Sequence, residues 1–176
     1  MNSSVRSFLS RGITAGLLGL GILALGGCVY QLGSSLPRDL KTAYVPTFVN
    51  KCGEPQAETR ATSAAIAEFQ KDGTLRVVKS AAQADLVVDV TLIKCKLDPV
   101  SFERNDPGTT KEYRLVLGAE VVVTKTKDKQ LLTKKTVEGE ATFAAGSDLS
   151  TSKRSALSPA ATDLAHKIIE SVVEAW

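Results

Sequence analysis

The chain has little of what catalysis and metal binding need. It holds one histidine, three cysteines and one tryptophan, and only 5% of its residues are aromatic. No Gly-x-Gly-x-x-Gly or Walker segment is present, so phosphate-cradling nucleotide sites are not indicated. Gly-x-Ser-x-Gly is also missing; Gly146-Ser147 reads as a loop, not a nucleophile elbow. His166 sits beside an apolar helical stripe, with no Cys, Asp or Glu at metal-ligand spacing, and reads as a helix-surface residue. The expectation is that no catalytic residue, metal or cofactor is used. After the N-terminal leader there is no second hydrophobic span. Net charge is +3, and two of the arginines, Arg6 and Arg11, lie in that leader. The remainder is close to neutral, which does not suggest a nucleic-acid partner.

What is present begins with the leader. Met1 to Arg11 is polar and basic, with no acid. Ile13 to Leu25 is uncharged and nearly all apolar, interrupted by glycines. These are the n- and h-regions of a secretory signal. The apolar run is short for a transmembrane helix, which needs about 20 residues. Leu25-Gly26-Gly27-Cys28 closes it as a lipobox. Small side chains suit the positions before the cut between Gly27 and Cys28, and the Cys28 thiol is the expected site of covalent acyl lipid. Residues 1–27 are then a cleaved signal. Residues 28–39 are a lipidated N-terminus and linker, and 40–176 are one domain. Val29 follows the cysteine where an Asp would favour inner-membrane retention, so the expected location is the periplasmic face of the outer membrane. The membrane contact is through the anchor. Each buried acyl methylene contributes about 0.8 kcal/mol, and several chains together hold firmly.

Few aromatics and many β-branched residues favour a sheet. Leu40–Asn50 predicts a strand, at an edge or bulged, because Pro46 has no N–H to donate. Pro55–Lys71 predicts a helix with an alanine-rich stripe ending at Asp72-Gly73. Thr74–Val78 predicts a short strand completing a βαβ-like unit. Asp85–Leu97, Lys111–Lys125 and Leu131–Phe143 predict an antiparallel meander, turning at Asn105–Gly108 and Lys127–Lys129. Leu86, Val88, Val90 and Leu92 form one face of the first of these strands, and Asp89, Thr91 and Cys95 the other. Asp85 reads as a cap on the preceding turn. Ala144–Lys153 reads as a polar connection. Pro159–Trp176 predicts an amphipathic helix capped by Ser158, with a start as early as Lys153 admissible. The fold class is α+β. Two helices pack on one face of a mixed, mostly antiparallel sheet of four to five strands. The other sheet face is too polar for a core and more apolar than water requires, which makes it a contact surface.

Two features bear on binding. Cys52 and Cys95 form an even pair in an oxidising compartment. They are either a disulfide, stabilising by about 4 kcal/mol through loop closure, or two buried thiols. Lys94, Lys96, Lys125, Lys127, Lys129 and Lys134, with Arg104, Lys111 and Lys135 nearby, form a localised basic set suited to lipid phosphates. The alternative is that they are solvated lysines protecting sheet edges.

Tyr30-Gln31-Leu32-Gly33 after the lipidated cysteine, Val45–Asn50, Glu54-Pro55 with Glu58, Asp72–Val78, Ala84-Asp85-Leu86 and a helix ending in Trp176 occur in an order that resembles the lipopolysaccharide-assembly lipoprotein family LptE. The likeness spans residues 28–176. It implies a non-catalytic protein that plugs and helps assemble the outer-membrane β-barrel LptD, and that binds lipopolysaccharide during delivery. Lipopolysaccharide-contacting residues do not carry over by motif. Cys52 stands where the family has a hydroxyl residue, and Cys95 has no counterpart in it. The alternative reading is a periplasm-facing lipid or ligand carrier without a barrel partner. The short linker Ser34–Arg38 favours a domain held close to its membrane.

Overall fold

The computed structural model describes residues 39–174. The expected signal peptide, the Gly27–Cys28 cleavage and lipidation site, the linker to Arg38 and Trp176 lie outside the described residues. In chain order the elements are β1 (Thr42–Tyr44), β2 (Val49–Asn50), α1 (Ala57–Asp72), β3 (Arg76–Val77), a 3-10 turn (Ala81–Gln83), β4 (Leu86–Glu103), β5 (Asp106–Lys125), β6 (Leu131–Ala144) and α2 (Leu149–Val173). The strands form one mixed sheet in the order β3-β1-β4-β5-β6, with β2 also on β4. Both helices cover one face, giving the expected two-layer α+β arrangement.

The sheet has six strands, not four to five. The expected strand Leu40–Asn50 is broken around Pro46 into β1 and β2. Both pair parallel with β4, Ala43 against Leu86 and Val49 against Thr91. In the gap, the Phe48 N–H donates to the buried Thr62 hydroxyl of α1 at 3.0 Å, and that hydroxyl donates to Glu58 O at 2.6 Å. A buried N–H that left the ladder is thereby satisfied. β1 and β3 are parallel on either side of α1, which is the βαβ unit read from the sequence. Gly73, at φ 73°, ends α1 with its N–H on Phe69 O, the left-handed stop that glycine permits.

The β4–β5 hairpin is longer than expected. Its turn is Arg104–Asn105, and Asp106–Gly108, predicted as part of the turn, already belong to β5. The Asp106 carboxylate takes local bonds from Gly108 N (3.1 Å) and the Thr109 hydroxyl (2.6 Å) there. Register shifts between Pro99 and Glu103 absorb the irregularity. β6 pairs with β5 only as far as Glu112 against Ala144.

A second shift has larger consequences. Leu92 faces Ala119 and Lys94 faces Gly118, so Ile93 is an extra residue in β4. Such a bulge inverts the alternation that follows it. Leu86, Val88, Val90 and Leu92 are buried under the helices, and beyond the bulge Cys95 and Leu97 join the same core. Cys95 therefore faces inward, not outward as strict alternation predicted.

α2 starts ten residues before Pro159. Asp148 is its cap, accepting from Ser150 N at 2.9 Å and from the Thr151 hydroxyl. The expected polar connection shrinks to Ala145–Asp148, and Pro159 lies inside the helix. Ala156, Leu157, Ala160, Ala161, Leu164, Ala165, Ile168 and Val172 form its buried stripe. The helix rests on β6 at Gly139. A Cβ placed there would lie 2.2 Å from Leu164 N and 2.4 Å from Leu164 Cα. Backbone cannot yield as a side-chain tip can, so the layer spacing depends on this glycine. Gly139→Ala should destabilise the domain by roughly 3 kcal/mol, in the range of overpacked cores. Urea unfolding checks this; a change within 0.5 kcal/mol would mean the helix sits farther from the strand.

Candidate functional site

The face of the sheet opposite the helices carries the first site. Beyond the bulge, Lys94 and Lys96 point outward. The Lys94 ammonium meets Glu138 of β6 at 2.9 Å, reaching across Gly118 of β5. Any Cβ on Gly118 would lie 2.9 Å from Lys94 Cβ, so this glycine leaves the lane in which the lysine lies. Lys96 pairs with Asp98 (2.7 Å), Lys134 with Glu120 (3.0 Å) and Arg114 with Glu140 (3.5 Å). Between them Val116 is only 7% exposed. It stands in register with Lys96 and Glu140, whose long stems can cover it. Exposed pairs of this kind contribute about 0–1 kcal/mol each. Their main effect is to make the face charge-compensated around an apolar strip.

The six candidate lysines therefore do not form one patch. Lys94, Lys96 and Lys134 are each opposed by a carboxylate. Lys125, Lys127 and Lys129 crowd the β5–β6 turn and make no ion pair among the described residues. Gly118 and Lys125 are seven positions apart on β5, about 23 Å at the rise of a strand. The acids Glu120, Glu138 and Glu140, which complete the ladder, were missed as partners. The signal was there, since they stand at outward positions of β5 and β6.

Lys125 and Lys127 border a depression of about 610 Å3, also lined by the aspartates Asp39, Asp85 and Asp128 and by Leu40 and Ala84. Asp85 does not cap its preceding turn as expected. Its carboxylate accepts from Lys41 N (2.9 Å), Thr42 N (2.9 Å) and the Thr42 hydroxyl (2.7 Å). Its own N–H donates to Thr42 O at 3.1 Å, and its carbonyl accepts from Thr126 N at 2.9 Å. It thus fastens β1 and the basic turn to the start of β4. The backbone N–H of Lys41, then the Thr42 hydroxyl, hold its carboxyl below the usual aspartate range.

His166 is exposed on α2, with Nδ1 3.1 Å from Glu68 Oε1 of α1. The hydrogen bond from Lys71, ahead of that from His166, holds the Glu68 carboxyl below its ordinary value. Among the described residues no group of three or more His, Cys, Asp or Glu side chains could hold a metal. No helix of the described residues is long and apolar enough to cross a membrane. Cys52 and Cys95 are free, half-buried thiols, and both pack against the core at the end of the β2–β4 pairing.

A family model described as LptE: Lipopolysaccharide-assembly matches residues 40–172. No curated protein matches the sequence. Among solved structures, a crystal structure of a Xanthomonas campestris protein superposes with a TM-score of 0.59 at 10% identity, covering 81% of this chain and 89% of that one. A hypothetical protein of Chlamydia trachomatis gives 0.54 at 11% identity, covering 76% and 95%. The solution structure of an uncharacterized lipoprotein B from Nitrosomonas europaea gives 0.52 at 13% identity, covering 78% and 84%. These likenesses show a shared fold.

The Asp85 clip makes a signed prediction. Its folded-state pKa is depressed, so its contribution is full above the ordinary carboxylate range and is lost as pH falls below that range through the depressed folded value. Asp85→Asn should cost about 2 kcal/mol at neutral pH. In urea melts the wild type should lose stability faster than the variant below about pH 4, and the two curves should converge. Parallel curves would exclude the clip.

Proposed function

The chain belongs to the LptE lipopolysaccharide-assembly family, and from that premise we propose that it is an outer-membrane lipoprotein working with a barrel. Acyl chains on Cys28 anchor it at the periplasmic face. It assembles with the β-barrel LptD, occupies the barrel lumen from the periplasmic side, and assists lipopolysaccharide transport and insertion. The observation that carries this reading is the family match over residues 40–172, on a domain whose second sheet face is covered by no helix of the described residues.

The role is one of recognition, not catalysis. A face on which Lys94, Lys96, Lys134 and Arg114 are each paired with a carboxylate suits a protein wall, because burying those pairs leaves none of the four cations unpaired. The turn Lys125–Lys129 suits the phosphates of lipopolysaccharide, because its three lysines outnumber Asp128 and make no ion pair among the described residues. Lys94, Lys96 and Lys134 then act in the ion-pair ladder. The structural neighbour from Nitrosomonas europaea is itself titled a lipoprotein, in keeping with an anchor on this fold.

The test is purification of the tagged full-length protein from membranes in mild detergent. A large β-barrel should come down in equal stoichiometry, and depletion should lower surface lipopolysaccharide. Charge reversal of Lys125, Lys127 and Lys129 together should keep the barrel and weaken lipopolysaccharide binding at least tenfold. A monomer carrying lipid, with no barrel and unchanged surface lipopolysaccharide, would replace this reading with that of a carrier.

A further inference from the structure

We propose that Cys52 and Cys95 are a disulfide-forming pair that fastens the β2–α1 turn to β4 just beyond its bulge. The placement follows from the strand register. β2 runs parallel to β4, with Val49 opposite Thr91 and Asn50 opposite Leu92, and Lys51 N donates to Leu92 O at 2.9 Å. β2 ends at Asn50, and the turn that follows carries Cys52 past Leu92 toward Lys94 and Cys95. Adjacent strands lie about 4.8 Å apart, within the Cα separations of about 4.4–6.8 Å that a disulfide spans. The extra residue Ile93 then turns Cys95 to the helix side, where Cys52 also packs against the core. Without the bulge the thiol would face the open side of the sheet.

Cys52 is also held in position. Asn50 Oδ1 accepts from Cys52 N at 3.1 Å, from Gly53 N at 3.2 Å and from the Cys52 thiol at 3.2 Å. Asn50 Nδ2 donates to Glu54 O at 2.8 Å and Glu58 Oε2 at 2.7 Å. Gly53, at φ 76°, allows the tight path between them. The Lys153 ammonium of α2 is paired with Glu54, and its charge acts on the Cys95 thiol.

The two sulfurs have different roles. Burial, then the Glu54 charge, push the Cys95 thiol up to about 11, and it sits within a strand. Cys52 lies on a turn between exposed Lys51 and Gly53, so it is the sulfur that an external reagent meets first. The oxidant is a disulfide of the thiol-exchange class, such as oxidised glutathione or a protein with a redox-active cysteine pair. The Cys52 thiolate attacks one sulfur of that disulfide, breaks its S–S bond and releases the first thiol. The Cys95 thiolate attacks Cys52 Sγ, forms the Cys52–Cys95 bond and releases the second thiol. Two electrons pass to the oxidant, and the two cysteine protons end on its two thiols.

The test uses the full-length protein purified from an oxidising compartment, quenched in acid and then treated with an alkylating agent in denaturant at mildly alkaline pH, where unfolded free thiols react. Peptide mapping without reductant should recover one linked peptide containing Cys52 and Cys95, and Cys52 and Cys95 should carry no alkyl group. Reduction should add two alkyl groups and lower Tm by roughly 10 °C, the scale for a cross-link closing a loop of this length in a domain of this size. Cys52→Ser and Cys95→Ser should each leave one alkylatable thiol and a Tm indifferent to reductant. The double serine variant shows whether the fold survives without either thiol. The proposal is overturned if both thiols remain alkylatable after incubation with oxidised glutathione, or if each ends as a separate glutathione adduct. The outcome is independent of whether a barrel copurifies.

Discussion

One extra residue in β4 decides which side of the sheet does what. Before Ile93, even-numbered residues of β4 face the helices; after it, odd-numbered ones do. Had the alternation continued unbroken, Lys94 and Lys96 would have been driven under α2, and Cys95 would have faced outward. Burying an unpaired ammonium costs several kcal/mol, which no packing gain at this position offsets. The bulge removes that conflict. It keeps the helix side apolar along the pairing of β4 with β5, and it places lysines where acids of β6 can meet them.

Two glycines translate that division into distances. Gly139 lets α2 come down until Leu164 backbone touches β6, and this close approach closes the core. Gly118, on the opposite face and neighbouring strand, lets Lys94 lie flat and reach Glu138. The inner layer is thus as thin as backbone contact allows. The outer face carries the ion pairs of Lys94, Lys96, Lys134 and Arg114, and Lys125, Lys127 and Lys129, which make no ion pair among the described residues, lie at the β5–β6 turn. A flat, compensated wall and a basic tip suit different partners, a protein surface and an anionic headgroup. The family membership supplies a reason for both to occur on one small domain.

Much of this was legible in the chain. The meander, the alanine stripe of α1, its stop at Gly73 and the two-layer arrangement follow from periodicity and turn chemistry. The errors share a physical character, because each involves a residue whose usual meaning was overridden by its neighbours. Pro159 reads as a helix start, yet Asp148 caps the helix eleven residues earlier and the core stripe carries it through. Pro46 reads as an edge irregularity, yet both pieces around it pair with β4 because Thr62 takes the stranded Phe48 N–H. Asp106-Pro107-Gly108 reads as a turn, yet the aspartate satisfies it locally within β5. The bulge did leave a trace. Strict alternation put Leu92, Lys94 and Lys96 on one face, which a core does not admit, and an inserted residue was the way out. The division of the lysines into compensated and free sets was not legible, because it depends on which β6 acids lie beside them.

The central claim is that the helix-free face of the sheet meets a barrel partner. The most direct measurement is site-specific photocrosslinking in cells, with the probe at Thr136 on that face or at Lys167 on the exposed side of α2. The account predicts a strong adduct with a large outer-membrane barrel from Thr136. An adduct from Lys167 with none from Thr136 would contradict it.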